Sequence, residues 1–204
     1  MIVVHHLAYS RSIRVLWLLE QLGVPYELVS YPRTEAFRAP PELAKVHPLG
    51  KSPVIVDGDL VLAESSAILR QIHDRHGKGA LTPPRDTDDH ARHDEWLDYA
   101  ESGAAAPIIT LLKARKNVED QVAISEAASA VDRPLSYIAQ GLGDGPWLMG
   151  SQLTLADMQM SYLLALAEAT GALEAHPRLA RYLGRIRAHP AMVRAVEAGG
   201  PIWL

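Results

Sequence analysis

Residues 2–31 read IVVHHLAYSRSIRVLWLLEQLGVPYELVSY, and their pattern decides the fold. The run IVVHHL at 2–7 reads as a strand. Ser10 can cap a helix spanning about 11–22, which Gly23 ends, with Pro25 just beyond. That helix is apolar on nearly every side through Ile13, Val15, Leu16, Trp17, Leu18, Leu19 and Leu22, so it is expected to lie buried against a sheet. Residues 26–31 read as a second strand, and strand, helix and strand in succession imply a right-handed parallel crossover.

Working outward, a short proline-bounded helix is expected at 41–47. Strands at 53–56 and 59–63 flank Asp57-Gly58, a tight-turn pair that predicts an antiparallel hairpin. Ser65 then caps a helix reaching about 76. The order βαβαββα predicts a mixed four-stranded sheet with helices on both faces. Residues 77–89 turn polar and carry Gly77, Gly79, Pro83 and Pro84, the mark of a linker. Beyond them the chain reads as helix at about 87–116 with a bend at Pro107, then 119–141, 154–171, 177–188 and 190–198. The expected organisation is α/β plus all-α, with one domain at 1–78, a linker at 79–86 and an all-helical domain at 87–204. Thr154 and Asp157 fit a capping box at one helix start, flanked by a Leu153–Met158 hydrophobic staple.

The 204 residues are 48% hydrophobic and 22% charged, ordinary globular usage that excludes disordered, collagen-like and coiled-coil readings. A net charge of −4 supplies no basic field for a phosphate backbone, so no nucleic-acid partner is expected. The chain has no cysteine, which removes disulfides, thiolate metal sites and any protein-thiol nucleophile. Any sulfur chemistry must therefore come from a ligand. Residues 1–7 lack the basic region and cleavage site of a signal peptide. No window approaches about 20 uninterrupted apolar residues, so no membrane span is expected and a cytoplasmic address follows.

Three places could carry chemistry. The loop Leu7-Ala8-Tyr9-Ser10-Arg11-Ser12 joins a strand end to a helix start, where free amides and the helix dipole favour an anion. Ser10 there is either a cap or a donor to that anion, and Tyr9 either a packed ring or an acid. Next, Ser52 precedes Pro53, and a cis bond there would turn the Ser52 backbone outward toward a peptide-like ligand. Lys51 beside it suits a carboxylate or is merely solvated. Finally, Glu64 suits an ammonium and Ser65 opens a helix whose amides suit a carboxylate, together matching a zwitterionic amino-acid head unless they are only a cap and its neighbour. The pairs His5/His6, His73/His76 and His90/His93 lack the spacing of a ligand set, so no metal is expected.

The strings YSRSIRVLWLLEQLGVPYELV, HPLGKSPVIVDGDLVLAESSAIL and GSQLTLADM, in this order and spacing, resemble the soluble glutathione transferases over essentially the whole chain. The resemblance implies a thioredoxin-like amino-terminal domain, a helical carboxyl-terminal domain, a homodimer, and glutathione as cosubstrate in a detoxifying transfer. Position by position it implies that Ser52, before Pro53, pairs with the cysteinyl part of glutathione. Lys51 would face the glycine carboxylate, and Glu64 with Ser65 would hold the γ-glutamyl end. It selects Ser10, four residues before Arg14, as the hydroxyl that stabilises the thiolate, with Tyr9 and Ser12 as alternatives. A small hydrophobic electrophile would lie in an interdomain cleft lined by Leu7, Tyr9, Gly103, Ala106, Ile108 and the tail at Ile202 and Trp203. The run 103–106 could equally be a close helix contact. The family also includes peroxidase, isomerase and dehalogenase relatives and non-catalytic binding or scaffolding members.

Overall fold

The computed structural model describes residues 1–116 and 119–203, so Leu204, the end of the expected helical domain, lies outside the described residues. The chain divides into two compact units, one formed by 1–80 with 188–204 and the other by 81–187.

In the first unit, β1 (Ile2–Leu7) and β2 (Tyr26–Tyr31) pair in parallel, as the crossover requires, around α1 (Ile13–Leu22). β3 (Val54–Asp57) pairs antiparallel with β1 and with β4 (Leu60–Ala63), giving the order β2-β1-β3-β4. The short α2 (Leu43–Val46) precedes the hairpin and α3 (Ser65–His76) follows it. Ile13 through Leu19 are all buried in α1, and Gly23 closes the helix in the left-handed conformation at φ 64°.

Three local expectations shift. The α-helix starts at Ile13 rather than 11, because the turn from Ser10 is tight: the amide of Ile13 bonds Ser10 O and that of Arg14 bonds Arg11 O. The hairpin turn is Gly58-Asp59, since Asp57 still pairs with Leu60 and Gly58 supplies the positive φ of 63°. Ser65 is the first residue of α3, not its cap; Glu64 stands at the cap position with φ 71° and ψ 115°.

The helix α9 (Pro190–Gly199) also departs from the expected boundary at 87. Residues 188–203 pack with the sheet unit, where the helix lies along α1. Arg194 of that helix donates through Nε to Glu20 Oε2 at 3.0 Å and through Nη2 to Glu20 O at 2.9 Å.

The second unit is helical. α4 (Asp88–Tyr99) starts at a Thr87 cap, continues through a π-helical segment at Ala100–Ala104 and becomes α5 (Ala105–Ala114). The irregular geometry therefore falls one turn ahead of Pro107, whose missing N–H and ring disturb the preceding turn. α6 (Gln121–Leu142) is capped by Asp120 and runs through Pro134. α7 (Leu155–Ala169) is buried continuously from Leu155 to Ala167 and forms the centre of this unit. A 3-10 turn at Ala172–Ala175 leads to α8 (Pro177–Ala188), and α9 (Pro190–Gly199) ends the regular structure.

At the start of α7, the Asp157 carboxylate accepts from the Thr154 amide at 2.8 Å and the Thr154 hydroxyl at 3.1 Å. It also accepts from the Leu148 amide at 2.8 Å and the Tyr182 hydroxyl at 2.5 Å, two partners that local sequence does not announce. Burial raises the Asp157 pKa, and these four donors pull it the other way. Of the staple pair, Leu153 is half-buried and Met158 fully buried. Among the described residues no helix is long and apolar enough to cross a membrane.

Candidate active site

The loop between β1 and α1 is held from three directions. Arg33 donates to Ala8 O at 2.8 Å through Nε, to Tyr9 O at 2.6 Å through Nη2 and to Phe37 O at 2.9 Å through Nη1. Its guanidinium lies 4.4 Å from the centre of the Phe37 ring. The Tyr9 ring stacks on Phe37 at 6.1 Å, and Trp203 meets both rings edge-on at 6.4 and 5.8 Å. Tyr9 holds φ 55° in this arrangement, a left-handed backbone that the two Arg33 bonds to Ala8 O and Tyr9 O help to fix. Neither Arg33 nor Phe37 stands out in the sequence, because their role depends on how the loop after β2 folds back.

The three hydroxyl candidates separate by depth. Ser12 is fully buried, Ser10 is 7% exposed, and the Tyr9 ring is half-buried. Ser10 Oγ accepts the Ser12 amide at 3.2 Å, so Ser10 does act as a local cap, one turn earlier than the α-helix proper. The two hydroxyl oxygens lie 2.7 Å apart, and Ser12 Oγ lies 2.7 Å from His6 Nδ1. His6 in turn lies 2.7 Å through Nε2 from the carbonyl of Gly199. Burial lowers the His6 pKa, and the Gly199 carbonyl partly offsets this. His5 faces the other way and bonds the Tyr31 hydroxyl at 2.8 Å, as adjacent strand residues must. The described residues contain no group of three or more His, Cys, Asp or Glu able to hold a metal.

The Ser52–Pro53 peptide bond is cis. Ser52 Oγ donates to His5 O at 2.9 Å and accepts the Leu7 amide at 3.1 Å, tying this loop to the end of β1 beside the first loop. Lys51 is exposed and Pro53 buried. Arg14, fully buried in α1, donates through Nη1 to Ser65 Oγ at 2.9 Å. One helix thus carries the Ser10 turn at its start and, a turn later, the side chain that fixes the start of α3. Glu64 is exposed beside it, on strained backbone.

The residues expected to line an electrophile site fall in both units. Leu7, Tyr9, Ile202 and Trp203 belong to the first; the Trp203 ring lies edge-on to Tyr9, and Leu7 and Ile202 are buried. Gly103, Ala106 and Ile108 belong to the second. A Cβ on Gly103 would meet the Tyr99 ring at 2.3 Å, the close-contact reading of this run, and Ile108 is fully buried core rather than an open lining residue. Ala106 is exposed.

Residues 1–74 match the family model of the glutathione S-transferase N-terminal domain, and residues 121–185 match that of the C-terminal domain. The chain is 31% identical to glutathione S-transferase 3 of Schizosaccharomyces pombe, covering 82% of this chain and 75% of that protein. It is 29% identical to glutathione S-transferase 1 of Saccharomyces cerevisiae, covering 96% of this chain and 94% of that one. A crystal structure of a glutathione S-transferase from Actinobacillus pleuropneumoniae superposes with a TM-score of 0.88 at 37% identity, over 98% of this chain and 93% of that one. Matched in both halves and along nearly its whole length, the chain belongs to the glutathione S-transferase family.

Proposed function

We propose that the protein binds glutathione on its first unit, ionises the bound thiol beside Ser10, and transfers the sulfur to a small hydrophobic electrophile. The observation that carries this reading is the Ser10 hydroxyl, the outermost of a buried hydroxyl pair at the opening turn of α1, in a chain that has no sulfur nucleophile of its own. Ser12 has no exposed surface to offer a ligand.

Around Ser10, the Ser52 backbone receives the cysteinyl part of the tripeptide and Lys51 faces its glycine carboxylate. Ser65, fixed by Arg14, and Glu64 take the γ-glutamyl carboxylate and ammonium. Tyr9 and Trp203, both half-buried, supply apolar surface near the sulfur, whereas Leu7 is buried core. The detoxifying role, a cytoplasmic address and a homodimer belong to the same proposal and rest on the family. No metal takes part in the proposed transfer.

The energetics suffice. A free thiol of the cysteine type has a pKa of about 8.5, and each unit of lowering needs about 1.4 kcal/mol. One hydroxyl donor to a charged acceptor supplies about 1.5–3 kcal/mol, and a helix amino terminus about 0.3–1 kcal/mol. Together they lower the thiol by about one to two units.

The test is a thermal shift with glutathione, conjugation of a chloronitroaromatic, and ultraviolet titration of the bound thiolate in the parent and in Ser10→Ala. The variant is expected to bind glutathione with little change, to lose most turnover, and to raise the thiol pKa by about one unit or more. An unmoved thiol pKa would transfer the role to Tyr9. Stabilisation by glutathione without turnover on aryl halides, peroxides or isomerase substrates would favour a binding or scaffolding protein.

A further inference from the structure

The buried polar groups behind Ser10 form an ordered chain whose direction can be worked out from donor capacity alone. The Gly199 carbonyl only accepts, so His6 Nε2 carries a proton and donates to it at 2.7 Å. In neutral His6, Nδ1 is then an acceptor, and the Ser12 hydroxyl donates there at 2.7 Å in preference to Leu7 O, which lies farther off at 3.4 Å. Ser12 Oγ, its proton spent, accepts from the Ser10 hydroxyl. At rest the chain therefore runs Ser10 to Ser12 to His6 to Gly199, and the proton of Ser10 points inward. What Ser10 offers a bound thiol is a lone pair.

We propose that His6 is the terminal acceptor of the glutathione thiol proton, reached through the hydroxyls of Ser10 and Ser12; this rests on the glutathione reading above. The thiol S–H gives its proton to Ser10 Oγ as the Ser10 proton passes to Ser12 Oγ and the Ser12 proton passes to His6 Nδ1. One S–H and two O–H bonds break, two O–H and one N–H bond form, and no other reactant is needed. The product is a thiolate facing a Ser10 hydroxyl that now points outward, with an imidazolium two hydroxyls behind it. The whole chain of donors has reversed, so ionisation of the thiol and the turning of Ser10 toward it are one event.

His6 thus acts through Ser10 and is a positioning residue. Its hydrogen-bonding groups are the Ser12 hydroxyl and the Gly199 carbonyl, and burial keeps it neutral until a negative sulfur forms nearby. Gly199 selects the tautomer on which the direction depends. A Cβ there would lie 3.0 Å from His6 Cε1 and 2.4 Å from Leu16 Cδ1, so the close approach of this carbonyl needs glycine.

The decisive measurement is the nitrogen-15 resonance of the His6 ring in the full chain, alone, with glutathione and with S-methylglutathione, alongside the thiolate absorbance. The expected result is a neutral Nε2–H ring in the free protein and with S-methylglutathione, and an imidazolium that grows in step with the thiolate when glutathione binds. Thiolate absorbance with a neutral His6 would overturn this proposal alone, whereas failure to bind glutathione would overturn the reading beneath it as well. In His6→Asn, the amide oxygen can still accept from Ser12 but takes up no proton. That variant is expected to hold KM for glutathione, lose about tenfold in kcat, and raise the bound thiol pKa by about one unit. An unchanged thiol pKa in His6→Asn would equally refute the proposal.

Discussion

Replacing Asp157 by alanine tests how much of the helical unit hangs on one carboxylate. The side chain is fully buried and accepts four hydrogen bonds, from the amides of Leu148 and Thr154 and the hydroxyls of Thr154 and Tyr182. The Thr154 hydroxyl can turn to another partner, but two amides and a buried phenol are left without an acceptor, and each costs about 1–3 kcal/mol. The low end of that range gives a loss of about 3 kcal/mol, roughly 6–12 °C in melting temperature for a chain of this size. Asp157→Asn keeps one acceptor oxygen but sets an amide donor against the Thr154 amide, so it should lose about half as much. The pH dependence separates charge from geometry. Burial raises the Asp157 pKa in the folded protein, so the native state holds its proton at a higher pH than the unfolded chain does. Relative to Asp157→Asn, the parent therefore gains stability as pH falls from that raised value toward the ordinary carboxylate range. Urea unfolding of the three proteins across that window is the assay. A loss below about 1 kcal/mol for Asp157→Ala, or a parent-to-Asn difference that narrows toward acid, would refute the reasoning.

Other outcomes are equally specific. Arg14→Lys cannot reproduce the directed bond to Ser65 Oγ and should weaken glutathione binding about tenfold, with kcat less affected, as read by calorimetric titration. Gly199→Ala should destabilise the protein by about 1–3 kcal/mol through its contacts with Leu16 and His6, measured by urea unfolding. His5, His6 and His189 all have pKa values lowered by burial. The unfolded chain therefore binds more protons than the native state just below the ordinary histidine value, and stability should fall as pH drops from about 7 to 5. A flat unfolding midpoint over that range in the parent, or an unaltered slope in His6→Asn, would contradict this.

The sheet unit was legible because its segments announce their periods: the apolar run of α1, the turn glycine at 58 and the stop at Gly23 each act within a few residues. Boundaries slipped where a tight turn took the place of an α-turn, as between Ser10 and Ile13. The two-residue period of β1 places His6 and His5 on opposite faces, but nothing near His6 in the sequence points to Gly199, 193 positions away. Nor does the amphipathic pattern of 190–198 say which unit its apolar face covers; that depends on Glu20 and Leu16 of α1. Arg33 and Phe37 stayed hidden for a similar reason, since their grip on Ala8 and Tyr9 exists only once Phe37 adopts φ 57°. The hydroxyl candidates were all found in the sequence, while their order of depth required the fold.

That α9 completes the unit begun by β1 has a consequence for synthesis. On the ribosome the helical unit holds all of its residues once position 187 has emerged, but the sheet unit, although made first, must wait for α9 before His6 meets the Gly199 carbonyl and α1 is covered. The nascent amino-terminal portion thus matures late, and emergence of α9, not emergence of the sheet, sets the moment at which the site can assemble.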